Sequence, residues 1–165
     1  MFREYGNIIL FEGNDLESRI IKLFTKSKYT HTALQVHRNV AMSITRKGRI
    51  TRYLDQSKDW IDSYLILEHK EIDLVKRRKI RRNNHHMTND YDTGVLFRIG
   101  LRHLLGKEPD LEDISRHERF NCSSKPAYLY LLEDLSVMKG VNYSQVEPQM
   151  FLEGGNFRVV KEWKK

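Results

Sequence analysis

The sequence predicts an α+β fold, a small and mostly antiparallel sheet packed against helices. Short segments rich in β-formers, separated by tight-turn signals, fill residues 7–67, and apolar positions at helical spacing recur at residues 16–24, 91–105 and 122–135. A length of 165 residues suits one domain spanning 1–165 with a core of useful size.

The elements follow in order. After Gly6, residues 7–11 read as a short buried strand, closed by the turn-forming run Glu12, Gly13, Asn14, Asp15. Leu16, Ile20, Leu23 and Phe24 then follow helical spacing, with Asn14 or Asp15 as the N-cap. Residues 32–37 and 40–44 form a hairpin around Arg38 and Asn39, and residues 49–53 supply the next strand after the Lys47-Gly48 turn. The continuous apolar run 64–67 suits a strand buried on both faces.

Residues 71–82 begin with acids and end with bases, as the helix dipole favours, and a polar linker follows at 83–89. Residues 91–105 form another helix, ended at Gly106. The apolar helix 122–135 has Asn121 as N-cap and Pro126 in its first turn or so. A terminal strand, 157–160, comes after Gly154-Gly155.

Composition narrows the classes. With 39% hydrophobic and 31% charged residues and three prolines, the chain is neither disordered nor fibrous. No apolar run approaches the roughly 20 residues of a membrane span, and the first residues carry no export signal, so a cytoplasmic location is expected, with delivery to a virion or wall left to other machinery. One cysteine excludes an internal disulfide and a multi-thiolate zinc site. Neither GxxxxGK[ST] nor GxGxxG occurs, and Ser123 and Ser124 lack the G-x-S-x-G surroundings of a hydrolase elbow. His85, His86, His103 and His117 show no metal-ligand spacing; neither cofactor nor metal is expected.

That cysteine, Cys122, stands at the start of a predicted helix. Unpaired N–H groups there create the positive field that favours a thiolate, and they can hold the oxyanion that forms on an attacked carbonyl. His31 stands at the entrance to the 32–37 strand and can serve as its general base. Strand alternation puts His31, Ala33, Gln35 and His37 on one face. Ser43, on the next strand, is the preferred residue to orient the imidazole, with His37, Gln35 and Thr45 as alternatives.

Gly6-Asn7-Ile8-Ile9-Leu10-Phe11, the run Thr25 through Leu34 with Ser27 and His31, and Phe120-Asn121-Cys122-Ser123-Ser124 together resemble the circularly permuted NlpC-type papain-like cysteine hydrolases, the YiiX/YebB-like branch. Tyr91-Asp92 and the ending from Glu147-Pro148 to Val160 extend the similarity over nearly the whole chain. This branch is related to the lecithin:retinol acyltransferase group. The order His31 before Cys122 is that of the permuted branch. The pattern's Asp after the first glycine is replaced by Asn7, and its Glu after Cys-Ser by Ser124.

The resemblance implies a permuted papain-like fold and acyl transfer through a Cys122 thioester. The expected function is hydrolysis of an amide bond in a cell-wall peptide or isopeptide. A lipid acyltransferase or thioesterase, and a catalytically silent binding or structural module, possibly associated with a phage, are the rivals. Tyr91, Ser123 and Tyr29 are candidates for binding the oxyanion or substrate. The formal charge of +7 and the run Lys76-Arg77-Arg78-Lys79-Ile80-Arg81-Arg82 suit an anionic polymer or lipid surface. No specific nucleic-acid partner is expected, because the run lacks interleaved aromatic residues.

Overall fold

The computed structural model describes residues 4–87 and 120–165, apart from positions 46 and 58 and the side chain of Phe24. Its elements are β1 (Ile8–Gly13), α1 (Leu16–Thr25), β2 (His31–His37), β3 (Val40–Thr45), β4 (Gly48–Tyr53), β5 (Ile61–His69), α2 (Leu74–His86), α3 (Ser124–Leu131), α4 (Met150–Glu153) and β6 (Phe157–Lys164). Short 3-10 turns lie at Leu54–Ser57 and Tyr143–Gln145. The strands form one six-stranded sheet in the order β4-β3-β2-β1-β5-β6, antiparallel at every pairing.

β1 explains the arrangement. It pairs with β2 on one side and β5 on the other, so both its edges are satisfied and both its faces are buried. Alternation then divides Ile8-Ile9-Leu10-Phe11 between two cores. Ile8 and Leu10 join Leu34, Leu65 and Leu67 in the larger core, which is sealed by Ile80 of α2, Leu129 and Tyr130 of α3, and Phe151 of α4. Ile9 and Phe11 join Ala33, Ala41, Tyr64 and Ile66 in the smaller one, with Trp60 and Trp163 at its margin.

Several boundaries differ from the sequence expectation, each for a local reason. β1 runs through Glu12 and Gly13, because β5 continues to pair with them across a register shift. The turn starts two residues later, at Asn14, and Asp15 is the N-cap of α1, accepting from the Ser18 N–H at 2.7 Å. The expected linker 83–89 begins as helix: α2 starts after the Asp73 cap and runs to His86, with Asn84 buried and donating to the Tyr5 hydroxyl at 3.1 Å. α3 is shorter than 122–135. It ends in a Schellman turn, where the Leu135 N–H donates to Tyr130 O and the Asp134 N–H to Leu131 O, with Asp134 at φ 55°. β5 and β6 outrun the apolar stretches that announced them, since they pair with each other along Ser63–His69. The expected helix 91–105 and Gly106 lie outside the described residues.

The basic run is not uniformly exposed. Arg77 is buried, its guanidinium donating to Tyr5 O at 2.7 Å, Asn7 Oδ1 at 2.8 Å and Glu68 Oε2 at 2.5 Å. It is a core cation with three acceptors, one of them a carboxylate, and Ile80 is a core side chain. Only the remaining members of the run face outward, fully or in part.

Candidate active site

β2 pairs with β1 along residues 31–34, but its ladder with β3 covers only Leu34↔Met42, Gln35↔Ala41 and His37↔Val40. The two strands therefore separate at the His31 end, and the start of α3 meets β2 there. The Ser123 and Thr32 hydroxyls are 2.9 Å apart across the junction.

The chain around Cys122 is held by a reciprocal cap. Asn121 Oδ1 accepts from the Ser123 and Ser124 N–H groups, each at 2.7 Å, while the Asn121 N–H donates to Ser124 Oγ at 2.8 Å. The pattern has the form of a capping box with serine at the third position, set in the turn just ahead of α3, whose own N-cap position, Ser123, makes no side-chain cap bond. It accounts for Ser124: a hydroxyl there makes the return bond that a carboxylate would otherwise make. Cys122 occupies the turn inside the cap, half-buried and at the wall of a cleft.

His31 and Ser43 lie on the same face of the sheet, and His31 Nε2 is 2.9 Å from Ser43 Oγ. The imidazole is stacked on Phe11, with ring centroids 6.1 Å apart, and meets the edge of Trp60 at 6.3 Å. These aromatic contacts limit ring rotation. With Nε2 committed to Ser43, Nδ1 is the nitrogen left to face the sulfur.

Burial pushes the Cys122 thiol up, but the charge of His31 and hydrogen bonds from His31, the Thr32 backbone and Ser123 outweigh it, and the thiol is held below its ordinary range. The Ser123 Oγ lies 3.9 Å from the sulfur. These contacts favour the thiolate form of Cys122.

The cleft has a volume of about 550 Å³. Phe11, Ala33, Ala41 and Ile50 line it from the sheet, and Ser18 and Ile21 from α1. Its charged residues are Asp15 and Glu17 of the α1 end and, across from them, Lys47 and Arg52. The Arg52 guanidinium lies 5.4 Å from the Trp60 ring centroid. α1 approaches β1 closely at Gly13: a Cβ there would collide with the Ser18 hydroxymethyl group. The Gly13 N–H and the Ser18 hydroxyl both meet Thr30 Oγ1, at 3.2 and 3.1 Å.

The other expected residues fall elsewhere. Gln35 accepts from Asn7 Nδ2 at 3.0 Å and donates to Arg38 O at 2.9 Å, so its amide is spent away from the imidazole. His37 is exposed at the far end of β2. Thr45 lines the cleft and donates to Gly48 O at 3.2 Å. Tyr29 is a side chain of the larger core and does not border the cleft. Ser123, only 1% exposed, braces the turn from within, and its N–H is already taken by Asn121. Tyr91, His103 and His117 lie outside the described residues, and His85 and His86 are exposed at the end of α2. Asn7 sits at the opposite end of β1 from the His31 partner Phe11, bonded to Arg77 and Gln35. Its departure from the expected Asp therefore bears on the core and not on the thiol.

Phe11 and Trp60, which confine the imidazole, were not marked by the sequence reading. Phe11 was legible only as a strand residue, and Trp60 had no signal beyond being a tryptophan just before a strand.

Among the described residues, no three His, Cys, Asp or Glu side chains converge in a way that would hold a metal ion. No protein-family model matches the sequence, and no curated protein matches it. Among solved structures, the chain is similar to the crystal structure of metalloprotein YiiX from Escherichia coli O157:H7, at 17% identity and a TM-score of 0.65, with 100% of each chain covered. At that identity the likeness establishes a YiiX-like fold.

Proposed function

We propose that this chain is a cysteine hydrolase of the permuted papain-like, NlpC type that cleaves an amide bond, most readily one in a cell-wall peptide or isopeptide. The observation that carries this reading is the lowered Cys122 thiol next to His31, with Ser43 on the far nitrogen of the ring, at the wall of an accessible cleft. The order of the two residues in the chain and the YiiX-like fold agree with it.

In the first half-reaction the Cys122 thiolate attacks the scissile carbonyl carbon. The oxyanion is met by the Cys122 N–H, since the Ser123 and Ser124 N–H groups are engaged by Asn121. His31 delivers its Nδ1 proton to the leaving nitrogen, the C–N bond breaks, and an acyl thioester remains on Cys122. Neutral His31 then takes a proton from water as the hydroxyl adds to the thioester, and the carboxylic acid leaves with the sulfur returned as thiolate. Ser43 keeps the ring aligned throughout. YiiX is described as a metalloprotein. Cys122 and His31 offer two donors, short of the three or four protein ligands of a typical zinc site.

The apolar cleft floor also favours a second reading with the same chemistry, in which the acyl group is a lipid chain and the bond an ester or thioester. The test common to both is the pH dependence of iodoacetamide alkylation of Cys122. Native thiol should react well below the ordinary pKa of about 8.5, and His31→Ala should remove that reactivity. Slow alkylation indifferent to His31 would leave a scaffold used for binding. Peptide amides against acyl esters then separate the two substrate classes.

A further inference from the structure

α1 carries its apolar stripe on the wrong side for a helix of a soluble domain. Leu16, Ile20 and Leu23 are 74%, 49% and 76% exposed. At about 100° per residue they fall within about 60° of one another, whereas Ser18, Ile21 and Thr25, buried or half-buried, occupy the opposite arc. The spacing is that of an amphipathic helix, yet its apolar side is turned to solvent while small and hydroxylated side chains hold it to the sheet. The orientation is fixed by the Asp15 cap and the contacts of Gly13, Ser18 and Thr30, so the exposed stripe is a built feature.

The charges around the stripe indicate what covers it. Arg19 flanks it, and Lys22, Lys26 and Lys28 gather at the C-terminal end of the helix. Glu12 lies 3.4 Å from both Lys22 and Lys28, and Glu162 also acts on Lys28, so the four cations Arg19, Lys22, Lys26 and Lys28 outnumber the two carboxylates near them. Asp15 and Glu17 sit at the opposite end of the helix. A second copy of the chain would bring two such basic rims together, in a protein of net charge +7. An anionic surface meets both the apolar and the basic parts. Ten residues rise about 15 Å, half of what a span requires, and no helix among the described residues is long and apolar enough to cross a membrane.

We infer that α1 is an interfacial helix that seats on an anionic lipid surface, with Leu16, Ile20 and Leu23 at the headgroup boundary and Arg19 and Lys26 among the phosphates. The inner arc of α1 supplies Ser18 and Ile21 to the cleft, so docking would hold the cleft beside the bilayer. The inference is independent of the chemistry at Cys122.

The experiment is co-sedimentation of the full chain with mixed phosphatidylglycerol and phosphatidylcholine vesicles, and with phosphatidylcholine alone. The protein should pellet with the mixed vesicles and far less with the neutral ones. Leu16→Glu/Leu23→Glu should lower its partition at least about 100-fold, given about 1.5 kcal/mol or more for each of the two buried leucines. Arg19→Glu/Lys26→Glu should weaken binding to the mixed vesicles only. Leu16→Ser/Leu23→Ser repeats the test without added charge, and unchanged thermal melts and Cys122 alkylation verify each variant's fold. Wild type that stays in the supernatant, or leucine variants that pellet as well as wild type, would overturn the inference. So would a dimer, abolished by the leucine changes, in protein that ignores vesicles. Cys122→Ala should pellet like wild type, so a failure of the catalytic reading would leave this one standing.

Discussion

On one face of the sheet, Ile8, Leu10, Leu34, Leu65 and Leu67 are closed over by α2, α3 and α4, and the cation admitted there, Arg77, is held by Tyr5 O, Asn7 and Glu68. On the other face the core is smaller, and where α1 and the strands leave off there is a cleft instead of packed side chains. The same strands build both faces, since alternate residues of β1 and β5 go to each. The incompletely covered face is the one that holds His31, Ser43 and the approach to Cys122. Stability is concentrated on one side of a shared backbone, and the opening that chemistry needs is concentrated on the other.

That contrast can be broken at several points. Cys122→Ala should lower hydrolysis of a responsive peptide or ester by at least about 10⁴-fold, comparable to the loss of a nucleophile in other acyl-transfer enzymes, with an unchanged urea midpoint; a folding defect of similar severity would mean that the cleft face is structural after all. Leu67→Ala and Ile66→Ala remove neighbouring β5 side chains from opposite cores. Within the range of about 2–5 kcal/mol for such truncations, Leu67→Ala should fall near the top and Ile66→Ala near the bottom in urea denaturation. Equal costs would erase the distinction between the faces.

Ser43→Ala deletes one hydroxyl from the imidazole. It should reduce kcat/KM by about 10-fold, the worth of a hydrogen bond near 1.5 kcal/mol, and flatten the pH profile of alkylation while leaving the melting temperature in place. The smallest effect compares two helix caps. Asn121→Ala and Asp73→Ala should each cost about 1 kcal/mol, yet only Asn121→Ala should slow alkylation of Cys122, because only that cap encloses the thiol.

Much of this was legible in the sequence. The hairpin at Arg38-Asn39 and the strand after Lys47-Gly48 follow from turn chemistry that acts over two to four residues, while Asn121, expected as the N-cap, makes its cap-type bonds in the turn before a helix that starts only at Ser124. Ser43 was preferred as partner for His31, and the structure brings its hydroxyl to the ring. What stayed hidden depends on which way an element faces. The spacing of Leu16, Ile20 and Leu23 announces a helix but not that the stripe points outward, because periodicity carries no sign. Likewise Asn83 to His86 read as linker by composition, while the buried bond of Asn84 to Tyr5 that stabilises the helix there joins residues 79 positions apart. The splay between β2 and β3 that admits Cys122 is also a matter of tertiary pairing.

The two outermost strands, β4 and β6, have a consequence for how the protein behaves at high concentration. Among the described residues, each has an outer edge with no neighbouring strand, a row of backbone donors and acceptors open to any strand that comes alongside. β4 exposes Arg49 and Arg52, and β6 exposes Arg158, Lys161 and Lys164. Zipping one molecule's margin onto another's would crowd these cations together, so lateral growth of the sheet into fibrils is opposed by the charge pattern of its own borders.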